Sequence, residues 1–125
     1  MEKLILEGSE KTPAVRFDGD NGVMELIGRS IPENSIDFYE PLNNWLEKYG
    51  HGPKPNTTVN IKLEYFNTAS SKCILNLLKQ LEKLNSKDTK VKINWYFEED
   101  EEDLEEAGED YQAIIDLPFK MIKVK

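Results

Sequence analysis

Between Thr57 and Ser86 the spacing of apolar residues switches from every second position to every third or fourth. Thr57, Val59, Ile61, Leu63 and Tyr65 alternate with Asn60, Lys62 and Glu64, which predicts a strand whose buried face includes Tyr65. From Ile74 onward, Ile74, Leu77, Leu78, Leu81 and Leu84 fall on one stripe of a helix. Between the two lies Asn67-Thr68-Ala69-Ser70-Ser71-Lys72, a short hydroxyl-rich turn at the point where the helix must begin. The rest of the pattern is arranged around this unit.

Upstream, Lys3 to Glu7 predicts a short first strand, and Thr12-Pro13 an extended entry to the next. Ala14 to Asp18 and Val23 to Gly28 flank Gly19-Asp20-Asn21-Gly22, the spacing of a hairpin in which the glycines and Asn21 supply positive φ. A calcium loop starting at Asp18 would need Asp or Asn at Gly22, Gly at Val23 and Glu at Arg29, so the segment reads as a turn. Asn34 or Ser35 then caps a helix with the stripe Phe38, Leu42, Trp45, Leu46 and Tyr49. Pro41 should kink or restart that helix, and Gly50-His51-Gly52-Pro53 stops it.

Downstream, Lys90 to Phe97 predicts a further strand. Leu104, Ala107, Tyr111, Ile114 and Ile115 trace a helical stripe through an acidic stretch running from Glu98 to Ile115. Gly108 weakens that helix by about 1 kcal/mol relative to alanine. Leu117 to Val124 alternates as a last strand, with Pro118 at its start or on an edge. The order β-β-β-α-β-α-β-α-β predicts an α/β fold, a mixed sheet with helices mainly on one face, because βαβ crossovers share one hand. Residues 1–125 show no internal repeat and no linker, and read as one domain.

Composition narrows the function. A single cysteine, Cys73, excludes an internal disulfide framework and suits a reducing compartment. No signal peptide is recognisable and no apolar run approaches membrane-spanning length, so a cytoplasmic protein without membrane insertion is expected. The net charge is −8, and ten of the 24 acidic residues lie between Glu98 and Asp110 with no Lys or Arg among them. Such a patch repels nucleic acid and anionic lipid and attracts basic protein surfaces.

Candidate chemistry is sparse. One His and one Cys are too few for a Cys/His zinc site, and no nucleotide-binding glycine loop or nucleophile elbow is present. His51 in its Gly/Pro loop reads as solvated, Cys73 as a small core residue, and Trp45 and Trp95 as core. No catalytic residue, metal or cofactor is expected. A carboxylate-based hydrolase on the acidic helix is the weakest alternative. At the junction two readings stand: Asn67, Thr68 or Ser70 caps the helix, or Thr68 is a phosphorylation switch. A phosphate there would meet the positive end of the helix dipole, backbone N–H groups and Lys72.

The sequence resembles the SiaC-like family of bacterial regulatory phosphoproteins, small STAS-like proteins. The resemblance is carried by Thr12-Pro13 with Val15 and Phe17-Asp18, by Gly28-Arg29-Ser30 with Pro32-Glu33-Asn34, and by Pro41-Leu42 with Trp45-Leu46. It continues through Leu63 to Lys72, Asn94-Trp95-Tyr96, Glu106 to Asp110 and Leu117-Pro118-Phe119. It implies a non-enzymatic partner-switching protein. A Ser/Thr kinase with a histidine-kinase-like fold would phosphorylate the loop before the second helix, and a PP2C-type phosphatase would reverse it. The unphosphorylated form would bind and activate a diguanylate cyclase, raising cyclic di-GMP and promoting biofilm formation. Thr68 falls on the phosphorylated position, and Asn67, Ser70, Ser71 and Lys72 complete the partner and phosphate loop. The alternative is an unmodified scaffold docking a basic partner through the acidic helix 98–115.

Overall fold

The computed structural model describes residues 2–125. In chain order it forms β1 (Leu4–Leu6), β2 (Ala14–Asp18), β3 (Val23–Ser30), α1 (Ser35–Tyr49), β4 (Asn56–Phe66), α2 (Thr68–Leu84), β5 (Lys90–Glu98), α3 (Glu102–Ile114) and β6 (Phe119–Val124). All six strands join one sheet in the order β1-β2-β3-β4-β5-β6. β1, β2 and β3 pair antiparallel, whereas β3 to β6 pair parallel, each parallel step made by one helix. Right-handed crossovers that all advance the same way across a sheet deposit their helices on the same face. Burial follows: Val59, Ile61, Leu63, Val91, Ile93, Trp95 and Phe97 are covered, while Arg16, Lys62 and Lys92 on the other face are exposed.

The strand period breaks in β4. Gly28 pairs with Leu63 but Arg29 pairs with Tyr65, so Glu64 is an extra residue in a β-bulge. The bulge reverses the inside–outside phase beyond Leu63. Tyr65, expected in the core, is instead 52% exposed with the Arg29 guanidinium 6.0 Å over its ring. Phe66 takes the inward direction and meets Trp95 edge-on at 6.3 Å between centroids.

Smaller departures have similarly local causes. In the β2–β3 hairpin only Gly22 has positive φ; Asn21 does not, and contributes through its side chain. Its amide donates to Asp18 Oδ2 at 2.8 Å, while Asp18 Oδ1 accepts the backbone N–H groups of Asp20 and Asn21. α1 runs through Pro41 without restarting, and its most buried aromatic near the start is Tyr39 rather than Phe38. Glu98 belongs to β5, paired with Val124, so the acidic helix begins only at Glu102. Ile114 is 57% exposed and leaves the stripe, which closes instead on Leu104, Gly108, Tyr111 and Ile115.

Gly108 has a packing reason. A Cβ there would lie 2.5 Å from Trp95 Cδ1 and 2.7 Å from Met121 Cε, so α3 rests directly on the sheet at this point. Two further bonds fix it: Trp95 Nε1 donates to the Leu104 carbonyl at 3.0 Å, and Gln112 Nε2 to the Phe119 carbonyl at 2.8 Å.

Candidate functional site

The hydroxyl-rich segment is not a loop. β4 ends at Phe66, Asn67 alone makes the corner, and Thr68 is already the first residue of α2. Asn67 is the cap: extended at φ −86 and ψ 175, it accepts the Ser70 N–H on Oδ1 at 2.8 Å. Its own N–H donates to the Ser30 carbonyl at 3.1 Å, anchoring the corner to the end of β3. An amide acceptor beside free first-turn N–H groups is why the helix starts here. Thr68 therefore caps nothing.

Burial sorts the hydroxyls of this turn. Ser70 is 0% exposed and points into the protein. Ser71 is half-buried, and Tyr111 Oη from α3 donates to its carbonyl at 2.9 Å, with its hydroxyl 3.4 Å away. Thr68 is exposed, and its side chain makes no hydrogen bond among the described residues. Lys72, also exposed, follows one turn later on the same face. α1 carries Asp37 in its first turn and α3 carries Glu102, Asp103 and Glu105, but α2 has no acidic residue there. The positive end of the α2 dipole is left uncompensated beside Thr68.

Beneath the turn lies a buried hydroxyl network. Ser30 Oγ donates to Ser70 Oγ at 2.9 Å. Having one proton, Ser30 must then accept from Tyr39 Oη, 2.7 Å away. Ser35 Oγ lies 3.3 Å from Ser70 Oγ. Burial pushes the Tyr39 hydroxyl pKa well above its ordinary value. It stays a neutral donor throughout the physiological range.

Above the turn, α1 and α2 enclose an open groove of about 690 Å³ whose walls include Glu33, Ile36, Thr68, Lys72 and Cys73. Ile36 is 71% exposed, unusual for a side chain of its size. Burial also raises the Cys73 thiol pKa, which makes that group a poor nucleophile at neutral pH.

Of the residues singled out in the sequence, Asn67, Thr68, Ser70, Ser71 and Lys72 fall within little more than one helical turn. Only Thr68 and Lys72 are fully on the surface. Ile36 and Tyr39 were not singled out, while Ser30 entered only within the family motif and Ser35 only as a possible cap of α1. A signal for two of them exists, since Ser35, Tyr39, Leu42, Leu46 and Tyr49 recur at spacings of four and three on one face of α1. His51 is exposed in its loop. No cluster of three or more His, Cys, Asp or Glu suited to a metal occurs among the described residues. Nor is any described helix long and apolar enough to cross a membrane.

Comparison with known proteins places this geometry in context. An uncharacterized protein of Pseudomonas aeruginosa (strain UCBPP-PA14) is 28% identical over 120 residues, spanning 95% of this chain and 94% of that protein. The solved structure of SiaC of Pseudomonas aeruginosa superimposes with a TM-score of 0.89 at 25% identity, covering 99% of this chain and 100% of SiaC. A second structure, diguanylate cyclase SiaD in complex with its activator SiaC from the same organism, matches with a TM-score of 0.89 at 26% identity. It covers 97% of this chain and 99% of the matched one. The model of the SiaC family regulatory phosphoproteins matches residues 6–124, and the chain belongs to that family.

Proposed function

We propose that this protein is a non-enzymatic, phosphorylation-gated binding switch with Thr68 as the acceptor. The observation that carries the reading is the sorting of hydroxyls at the α2 start. Thr68 is exposed at the mouth of the α1–α2 groove, whereas Ser70 is buried and Ser71 is held under Tyr111. A phosphate on Thr68 adds close to two negative charges at the uncompensated end of α2, within reach of first-turn N–H groups and Lys72. The same phosphate alters the charge and shape of the groove mouth, so modification and docking exclude each other.

In its unphosphorylated form the protein binds and activates a diguanylate cyclase, a role supported by the description of SiaC as the activator of SiaD. A Ser/Thr kinase with a histidine-kinase-like fold adds the phosphate and a PP2C-type phosphatase removes it, all in the cytoplasm. Asn67 and Lys72 hold the phosphate, while Ser70 and Ser71 shape the turn beneath it. Residues 1–125 act as one regulatory domain without a cofactor.

Peptide mass after incubation with ATP and a candidate kinase of histidine-kinase-like fold tests the acceptor. A single phosphate on Thr68 is expected. No phosphate with a demonstrably active kinase, or a phosphate confined to Ser71, overturns the assignment. The second reading, a scaffold docking through α3, draws on the exposed acids of α3, which form no ion pair among the described residues. It requires binding that collapses with added salt and ignores substitution at Thr68.

A further inference from the structure

We infer that Ser30 and Tyr39 are positioning residues that transmit the state of Thr68 to α1, the opposite wall of the groove. The inference rests on the proposed switch and names the device that carries it. The network is directional. Tyr39 Oη donates to Ser30 Oγ and Ser30 Oγ donates to Ser70 Oγ, which faces Ser35 Oγ at 3.3 Å. The path leaves α1 at Tyr39, crosses the end of β3, enters the first turn of α2, and returns to α1 one turn earlier at Ser35. Ser30 also accepts the Asn67 N–H on its carbonyl, so one residue grips both the corner and the first turn of α2.

Such a circuit responds to a phosphate at Thr68 for a simple reason. The phosphate oxygens compete for the N–H groups of the first turn, including that of Ser70, which the Asn67 side chain now accepts. Any rotation of the turn carries the Ser70 hydroxyl with it. Ser30 and Ser70 are 0% exposed and Ser35 and Tyr39 nearly so, so breaking one of these bonds would leave a buried hydroxyl unsatisfied at a cost. The lowest-cost adjustment keeps the bonds and shifts α1, the packed neighbour that owns both ends of the path. A phosphate thus changes the groove on the α1 side as well as at its own position.

A comparable hydroxyl cluster at the far end of α1, Tyr49 with Thr57 and Thr89, makes no hydrogen bond to α2 among the described residues and serves as an internal control. The test is two-dimensional NMR of the full chain with phosphothreonine installed at Thr68 by codon expansion, so that it does not depend on any kinase. Amide shifts of Phe38, Tyr39, Glu40 and Leu42 are expected to respond to the phosphate in the wild type and in Tyr49→Phe. The response is expected to be lost in Tyr39→Phe and Ser30→Ala. A direct electrostatic field from the phosphate would act equally in every variant. Equal responses in Tyr39→Phe and wild type, loss in Tyr49→Phe as well, or no response in the wild type would each overturn the inference. Should Ser30→Ala fail to fold, Tyr39→Phe, which keeps its packed ring, decides alone. If cells never phosphorylate Thr68, peptide mass reveals it separately.

Discussion

Replacing Gly108 by alanine sets two opposing effects against each other. In an open helix the change stabilises by about 1 kcal/mol, because glycine loses more backbone freedom on folding. Here the new methyl would lie 2.5 Å from Trp95 Cδ1 and 2.6 Å from Trp95 Nε1. Met121 Cε, at 2.7 Å, is the end of a flexible chain and can yield. Trp95 cannot easily do so: its ring is 1% exposed and packed against Phe66, Tyr111 and Phe119. Overpacking of a rigid core costs about 2–3 kcal/mol. Displacing the indole also strains its bond to the Leu104 carbonyl, about 1 kcal/mol more. Set against the helix gain, the net loss is about 2–3 kcal/mol, a Tm lower by roughly 10 °C for a chain of this size. Thermal melts followed by far-UV circular dichroism and urea titrations followed by tryptophan fluorescence measure it. A Gly108→Ala protein that melts at or above the wild-type temperature would refute the reasoning, since helix propensity would then outweigh the contact.

Other expectations concern the α2 start. Asn67→Ala removes the cap and should lower stability by about 1 kcal/mol, read as a shift in urea midpoint without a change in slope. Thr68→Ala, at an exposed position that caps nothing, should stay within about 0.5 kcal/mol of wild type and remain competent for its partner. Thr68→Asp should keep the fold while weakening partner binding; unchanged affinity would count against gating by charge. Because burial raises the Cys73 pKa, the folded state favours the neutral thiol. The resulting stability is complete below the ordinary thiol pKa and is lost as pH rises from there through the raised folded value. Iodoacetamide should accordingly label Cys73 much more slowly in folded than in urea-unfolded protein at pH 8, and equal rates would contradict its burial.

The sheet and its three crossovers were legible because period-two and period-3.6 runs are long and bounded by glycine, proline and polar turns. The bulge at Glu64 was not. Nothing in Leu63-Glu64-Tyr65-Phe66 marks the extra residue, and the partner strand sets it by pairing Gly28 and Arg29 across it. The same step brings Phe66 inward. The start of α2 was legible to within a few residues: of the three caps the sequence offered, Asn67 is the one used, and Ser and Thr in a first turn do not mark which. The acidic run concealed the end of β5, because Glu98 pairs by backbone alone and its side chain is free to face water. Gly108 looked like a defect in α3; only the closeness of Trp95 shows why no side chain fits. At the candidate site, residue chemistry left Thr68 open between a cap and a phosphate acceptor beside Lys72, and the family resemblance favoured the second. The serine–tyrosine network joins residues 30, 35, 39 and 70, contacts that no local pattern specifies.

The measurement that bears most directly on the central claim is a titration of a candidate diguanylate cyclase partner with two forms of this protein, unmodified and phosphorylated on Thr68. Binding and cyclic di-GMP formation are followed in the same samples. The account predicts that the unmodified form binds and raises turnover, and that the phosphate weakens binding at least about tenfold, a difference of about 1.4 kcal/mol. Equal affinity and equal activation by both forms would contradict it.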